Sequence, residues 1–213
     1  ASDAFTIMPP PERWDYIRTK MLSAEKIEQL RKSMTPSLFA ANYELRHVAS
    51  ENALFVKSPE FFTDETLLYD GLAHLDAAYG GEGFTAFTCA KRKGDKIYMY
   101  GRIWQRHVDT VLDTIIADCD RLKCYPIHVE ENSDKGFLWK EIRNRERYPH
   151  KYHEKENKFV KISTYLRKLW DSIVWLEGTD PDYLAQILDY TEDAEHDDAP
   201  DSAACVCRLL DKR

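Results

Sequence analysis

The chain has 213 residues, 43% of them hydrophobic, with 30 Lys and Arg against 37 Asp and Glu for a formal net charge of −7. That suffices for the core of one domain of ordinary-to-large size plus an appendage. No run approaches the ~18 consecutive apolar residues of a membrane span, and no charged-then-apolar leader precedes a small-residue cleavage site, so a soluble domain without a membrane partner or export is expected.

Five cysteines, Cys89, Cys119, Cys124, Cys205 and Cys207, are odd in number and lack zinc-type spacing, which favours reduced, partly buried thiols. The acidic average disfavours a nucleic-acid partner but conceals a split. Lys135 to Lys168 holds eleven Lys and Arg against four Asp and Glu, whereas Leu169 to Arg213 holds three against twelve. A basic middle beside an acidic end suits a polyanion held next to a cation-binding site; solvated helix faces are the plainer reading.

In chain order, residues 1–12 with Pro9-Pro10-Pro11 read as a linker. Trp14 to Glu51 reads as helical, with Ser23 capping one helix and Thr35-Pro36 opening another. Leu72 to Tyr79 reads as a buried strand ending at Gly80-Gly81. Phe84 to Lys91 and Lys96 to Trp104 continue it as an antiparallel meander about the Lys93-Gly94-Asp95 turn. Val111 to Leu122 has helical periodicity, and Tyr125 to Glu130 returns to strand character. A crossover helix of this kind predicts parallel pairing with the first strand, giving the order β-β-β-α-β. A basic helix over about 135–147, a helix over about 160–169, a strand Ile173 to Leu176, a helix Pro181 to Tyr190 and a last helix from Pro200 to about Leu210 complete the α/β pattern.

Acidic residues fall where these elements end. Asp76 closes the first strand and Glu130 the fourth, so parallel pairing makes them neighbours. Asp198 and Asp201, three apart, share roughly one face at the start of the last helix. Carboxylates gathered at the edge of a core need a positive partner, and one or two Mg²⁺ or Mn²⁺ ions are the expected answer. Glu131 competes with Glu130, and Asp197 with Asp198. Asp76 also fits an ordinary turn start, and the Asp198-Asp201 pair also fits helix capping.

His74 and His128 each stand two residues before a candidate ligand, on its face of the strand, where buried, hydrogen-bonded roles are favoured over zinc. His196 is a candidate for support from behind the ligands. Tyr148 to Lys155, with His150 and His153, reads as a polar loop that is also placed to meet phosphates. Lys135, Lys140, Arg143, Arg145 and Arg147, following the Glu130 strand, are the candidate phosphate contacts.

Four passages together resemble the C-terminal nuclease domain of tailed-bacteriophage terminase large subunits: Leu38-Phe-Ala-Ala-Asn-Tyr-Glu-Leu45, His74-Leu-Asp-Ala-Ala-Tyr-Gly-Gly81, Val129-Glu-Glu-Asn132 and His196-Asp-Asp-Ala-Pro-Asp-Ser202. The resemblance spans about Leu38 to Leu210. It implies a ribonuclease-H-like mixed sheet flanked by helices and two-metal cleavage of concatemeric double-stranded viral DNA. Asp76 matches the family's first-strand aspartate and Glu130 its fourth-strand acid. The Asp197-Asp198-Ala-Pro-Asp201 cluster matches the final acidic motif.

The resemblance further implies an ATPase domain in the same full-length protein, portal and small-subunit partners, and assembly in the host bacterial cytoplasm. No Gly-x-x-x-x-Gly-Lys-Ser/Thr loop occurs, so ATP hydrolysis by that route is not expected in this chain. Residues 1–65 are then expected to be the connection to that ATPase domain and 66–213 the nuclease, most simply a monomer when isolated. Two other readings stay open: a resolvase- or integrase-like nuclease of the same fold, and a docking module whose acids are structural.

Overall fold

A computed structural model describes residues 54–130, 136–145 and 147–211. The helices expected between Trp14 and Glu51, and Glu131, Asn132 and Lys135, lie outside the described residues. Seven strands form one mixed sheet: β1 (Glu60–Phe62), β2 (Leu72–Asp76), β3 (Thr85–Lys93), β4 (Lys96–Trp104), β5 (Ile127–Glu130), β6 (Pro149–Tyr152) and β7 (Ile173–Leu176). Their order across the sheet is β1-β7-β4-β3-β2-β5-β6. The β2-β3-β4 meander is antiparallel, and β5 pairs parallel with β2, His128 opposite His74, as the crossover rule predicts.

Five helices cover the sheet: α1 (Leu112–Leu122), α2 (Phe137–Asn144), α3 over 158–169, α4 (Pro181–Leu188) and α5 (Asp198–Asp211). The middle of α3, Ile162–Leu166, is π-helical. Strand alternation divides the sheet into two cores. Ala73, Leu75, Ile127 and Val129 pack with α1 and α2 on one face. Leu72 joins α3, α4 and α5 on the other, together with Trp170, Trp175 and Tyr183. His74, Asp76, His128 and Glu130 therefore lie on the α5 face, interrupting what would otherwise be an apolar surface.

Small residues let α5 lie close to the sheet. Ala199, Ser202, Ala203, Ala204 and Cys205 are all buried, and the helix packs on β2 and β3. At Gly101 of β4 a Cβ would stand only 2.3 Å from the Tyr183 ring, so α4 seats its tyrosine directly on the backbone.

Three features depart from the sequence expectation. The stretch from Tyr148 to Lys155, expected as a loop, contains β6, an edge strand parallel to β5. β1, pairing parallel with β7, and the fully buried Phe55 bring residues ahead of the expected 65/66 boundary into this fold. The helix expected over 135–147 is shorter, ending at Asn144, while α5 starts at Asp198, two residues before Pro200. All five cysteines are free and buried.

Candidate active site

Asp76 ends β2, Glu130 ends β5 beside it, and α5 brings Asp198 and Asp201 to the same edge. The acids are close enough to perturb one another. Burial, reinforced by Asp201, Asp198 and Glu130 and opposed by Lys158, pushes the Asp76 carboxyl up to about 8. Burial also raises Glu130, with Asp201 and Glu154 adding to it and Lys161 opposing. Asp198 and Asp201 are raised by burial as well, against the pull of Lys158 on the first and Lys161 on the second. Four carboxyls that resist ionising together form a place where added positive charge is strongly favoured.

Two lysines of α3 supply some of that charge. Lys161, with no exposed surface, places its ammonium 2.7 Å from Asp201 Oδ1 and 2.8 Å from Glu154 Oε2. Burial alone would neutralise it, but Cys205, Asp201 and Glu154 hold its pKa above the ordinary value. Arg208 completes the cluster by donating to both Glu154 oxygens at 3.1 and 2.9 Å. Against the upward push of burial, Arg208 and Lys161 keep Glu154 well below the usual carboxylate range. Lys158 pairs with Asp197 at 2.7 Å.

The oxygen-rich, acid-crowded donor set suits a hard divalent cation. Among the described residues no three His, Cys, Asp or Glu side chains stand in a metal-holding arrangement. Asp197 and Asp201 are turned onto lysines. Asp76, Glu130, Asp198 and Asp201 are the groups whose chemistry could hold a metal, with Asp197 as the outer alternative.

His74 is buried beneath Asp76, its Nδ1 2.9 Å from Ser202 Oγ and its Nε2 2.7 Å from the Tyr152 hydroxyl. His128 and His150 stack edge to face on the adjacent strands, and His196 meets Phe84 in the same way. Of the candidate DNA contacts, Lys140 and Arg143 are exposed on α2, with Arg143 lying over Trp139. Arg145 bonds Asp113 of α1 at 2.8 Å and Glu141 at 3.0 Å, and Arg147 grips Asp120 of α1 at 2.8 and 2.5 Å. These two arginines tie the end of α2 to α1.

Lys161, Glu154, Arg208 and Tyr152 went unnoticed in the sequence. Lys161 stands between Val160 and Ile162 in a basic helix and looks like a solvated residue. Its partners lie 7 and 40 residues away.

No protein-family model matches the sequence, and no curated protein matches it. Among solved structures, the large terminase from one thermophilic bacteriophage superposes with a TM-score of 0.55 at 13% identity, over 88% of this chain and 53% of that one. The large terminase nuclease from another, thermophilic phage G20c, with bound magnesium gives 0.51 at 11% identity, over 75% and 98%. Its zinc-bound form gives 0.52 at 12%, over 73% and 94%. The fold is therefore a ribonuclease-H-like α/β fold, a mixed sheet with helices on both faces. More narrowly, it is the fold of the large-terminase nuclease domain, and the chain spans about half the length of the first of these terminases.

Proposed function

We propose that this chain is a metal-dependent endonuclease that cuts concatemeric double-stranded viral DNA during genome packaging. The observation that carries the reading is the convergence of Asp76, Glu130, Asp198 and Asp201 on one sheet edge, with the Asp76 carboxyl pushed up to about 8 by burial and then by its acidic neighbours. When bound, two Mg²⁺ or Mn²⁺ ions would supply an activated water and charge to stabilise the departing oxygen of a phosphodiester. Asp76 of the strand and Asp201 of the helix would hold the metal, with Glu130 and Asp198 as its further ligands. Lys161 keeps Asp201 poised in the absence of metal, and Lys158 does the same for Asp197. Lys140 and Arg143, with Lys135, are positioned by sequence to meet phosphates, and Arg145 and Arg147 hold the α2 frame that presents them.

In this reading the connection with an ATPase domain in the full-length protein lies ahead of Phe55, and so takes in less than the 1–65 expected from the sequence. The portal and the small terminase subunit are the assembly partners, in the host bacterial cytoplasm. The G20c structures bearing magnesium, cobalt and zinc support divalent-metal use by this fold.

Conversion of supercoiled plasmid to nicked and linear forms tests the reading. Cutting is expected with Mn²⁺ or Mg²⁺, none with EDTA, and none from Asp76→Ala, which should still bind DNA. Cutting that persists in EDTA or in Asp76→Ala would overturn it.

A further inference from the structure

We propose that His74 is a positioning residue of the carboxylate site, whose ring sets where Asp201 and Glu130 stand relative to Asp76. The inference rests on the reading of those acids as a metal site. His74 sits two residues before Asp76 on the same face of β2. Its Nδ1 meets Ser202, the neighbour of Asp201 on α5, and its Nε2 meets Tyr152, which lies opposite Glu130 in the β5–β6 register. One ring thus touches the surroundings of every element that bears an acid.

These contacts belong to a longer buried chain. The Tyr183 hydroxyl lies 2.5 Å from Thr88 Oγ1, Thr88 Oγ1 2.8 Å from Ser202 Oγ, and the Tyr152 hydroxyl 3.2 Å from Cys205 Sγ. A neutral imidazole has one donor and one acceptor, so it fixes the direction of any chain running through it. If Tyr183 donates to Thr88, Thr88 to Ser202 and Ser202 to Nδ1, then Nε2–H donates to Tyr152 and Tyr152 to Cys205. Every hydrogen finds an acceptor in that direction; in reverse, the hydroxyl at the Tyr183 end must find a further one.

An apolar side chain would fill the space between β2 and α5 without desolvating polar atoms. What the chain adds is direction: it fixes the rotation of α5 against β2 and the height of β6, and with them the acids. Thr88 stands directly across from His74 on β3, and the Tyr183 hydroxyl lies one link beyond it, the member of the chain furthest from the acids, where it supports the core. That difference separates positioning from mere stability.

The test is calorimetric titration of Mn²⁺ alone into the wild-type chain and its Ser202→Ala, Tyr152→Phe and Tyr183→Phe variants, with a thermal melt of each. Ser202→Ala and Tyr152→Phe should each weaken Mn²⁺ binding by about tenfold or more, as lost supports of metal ligands do. Tyr183→Phe should lower the melting temperature comparably and leave the affinity within about twofold. Affinities all near wild type, or all weakened alike, would overturn the positioning role. A wild-type chain that binds no Mn²⁺, or binds it equally after Asp76→Ala, would remove the metal site and the proposal together. Should Ser202→Ala not fold, Tyr152→Phe against Tyr183→Phe decides.

Discussion

Asp76 and His74 share one face of one strand, two residues apart, yet burial moves them in opposite senses. The Asp76 carboxyl is raised to about 8, so the folded chain holds that proton more tightly than the unfolded chain. The stability it contributes is full below the ordinary carboxylate range and is lost as pH rises through about 8. His74 is lowered well below 6.5, chiefly by burial and then by Lys161, so its contribution is full above 6.5 and is lost as pH falls. Below 6.5 the two slopes oppose each other. Above it the raised carboxyls set the slope, Asp76 foremost, and Asp76 should account for a loss of about 2 kcal/mol in the metal-free protein between about pH 6.5 and 8. Denaturant titration in EDTA checks this. Asp76→Asn should flatten the alkaline fall while abolishing cleavage, an unchanged slope being the contrary result.

At the scale of elements, α3 and α5 are joined through a buried ion cluster and not through apolar packing alone. Replacing Lys161 with Met would leave Glu154 and Asp201 without their shared cation, and removing one partner of a buried pair costs about 3–5 kcal/mol. Equilibrium unfolding of Lys161→Met at about pH 7 measures it; a loss below about 1 kcal/mol would place the pair in the class of weak surface bridges.

The same elements show what a sequence discloses. The meander, the crossover helix and β5 were legible because apolar periodicity changes from about 2 to about 3.6 between well-marked turns. The shared edge of Asp76 and Glu130 then follows from the right-handed crossover alone. β6 was hidden because an edge strand needs cover on few positions. Pro149-His-Lys-Tyr152 buries only Pro149 fully, and its polar residues read as a loop. Lys161 was hidden because a lysine announces burial only through partners, and here those come from a loop and from α5.

Across the whole molecule, the uneven charge of the chain takes on a spatial meaning. The basic segment supplies two lysines to the acid edge and two arginines that brace α2 against α1. The net charge of −7 therefore describes neither surface. A fold shared with terminase nucleases at 11–13% identity must be specified by pattern and packing, since few individual residues are held in common. The acids at the carboxyl ends of β2 and β5 crowd one another, and burial with that crowding makes added positive charge favourable at this edge.

The most direct test is a crystal of the protein soaked in Mn²⁺ and measured at the manganese absorption edge. An anomalous peak is expected between Asp76 and Asp201, within ligand distance of both, with the Asp201 carboxylate drawn off Lys161. A well-ordered site with no peak at Asp76, or manganese bound elsewhere with the Lys161–Asp201 pair intact, would contradict it.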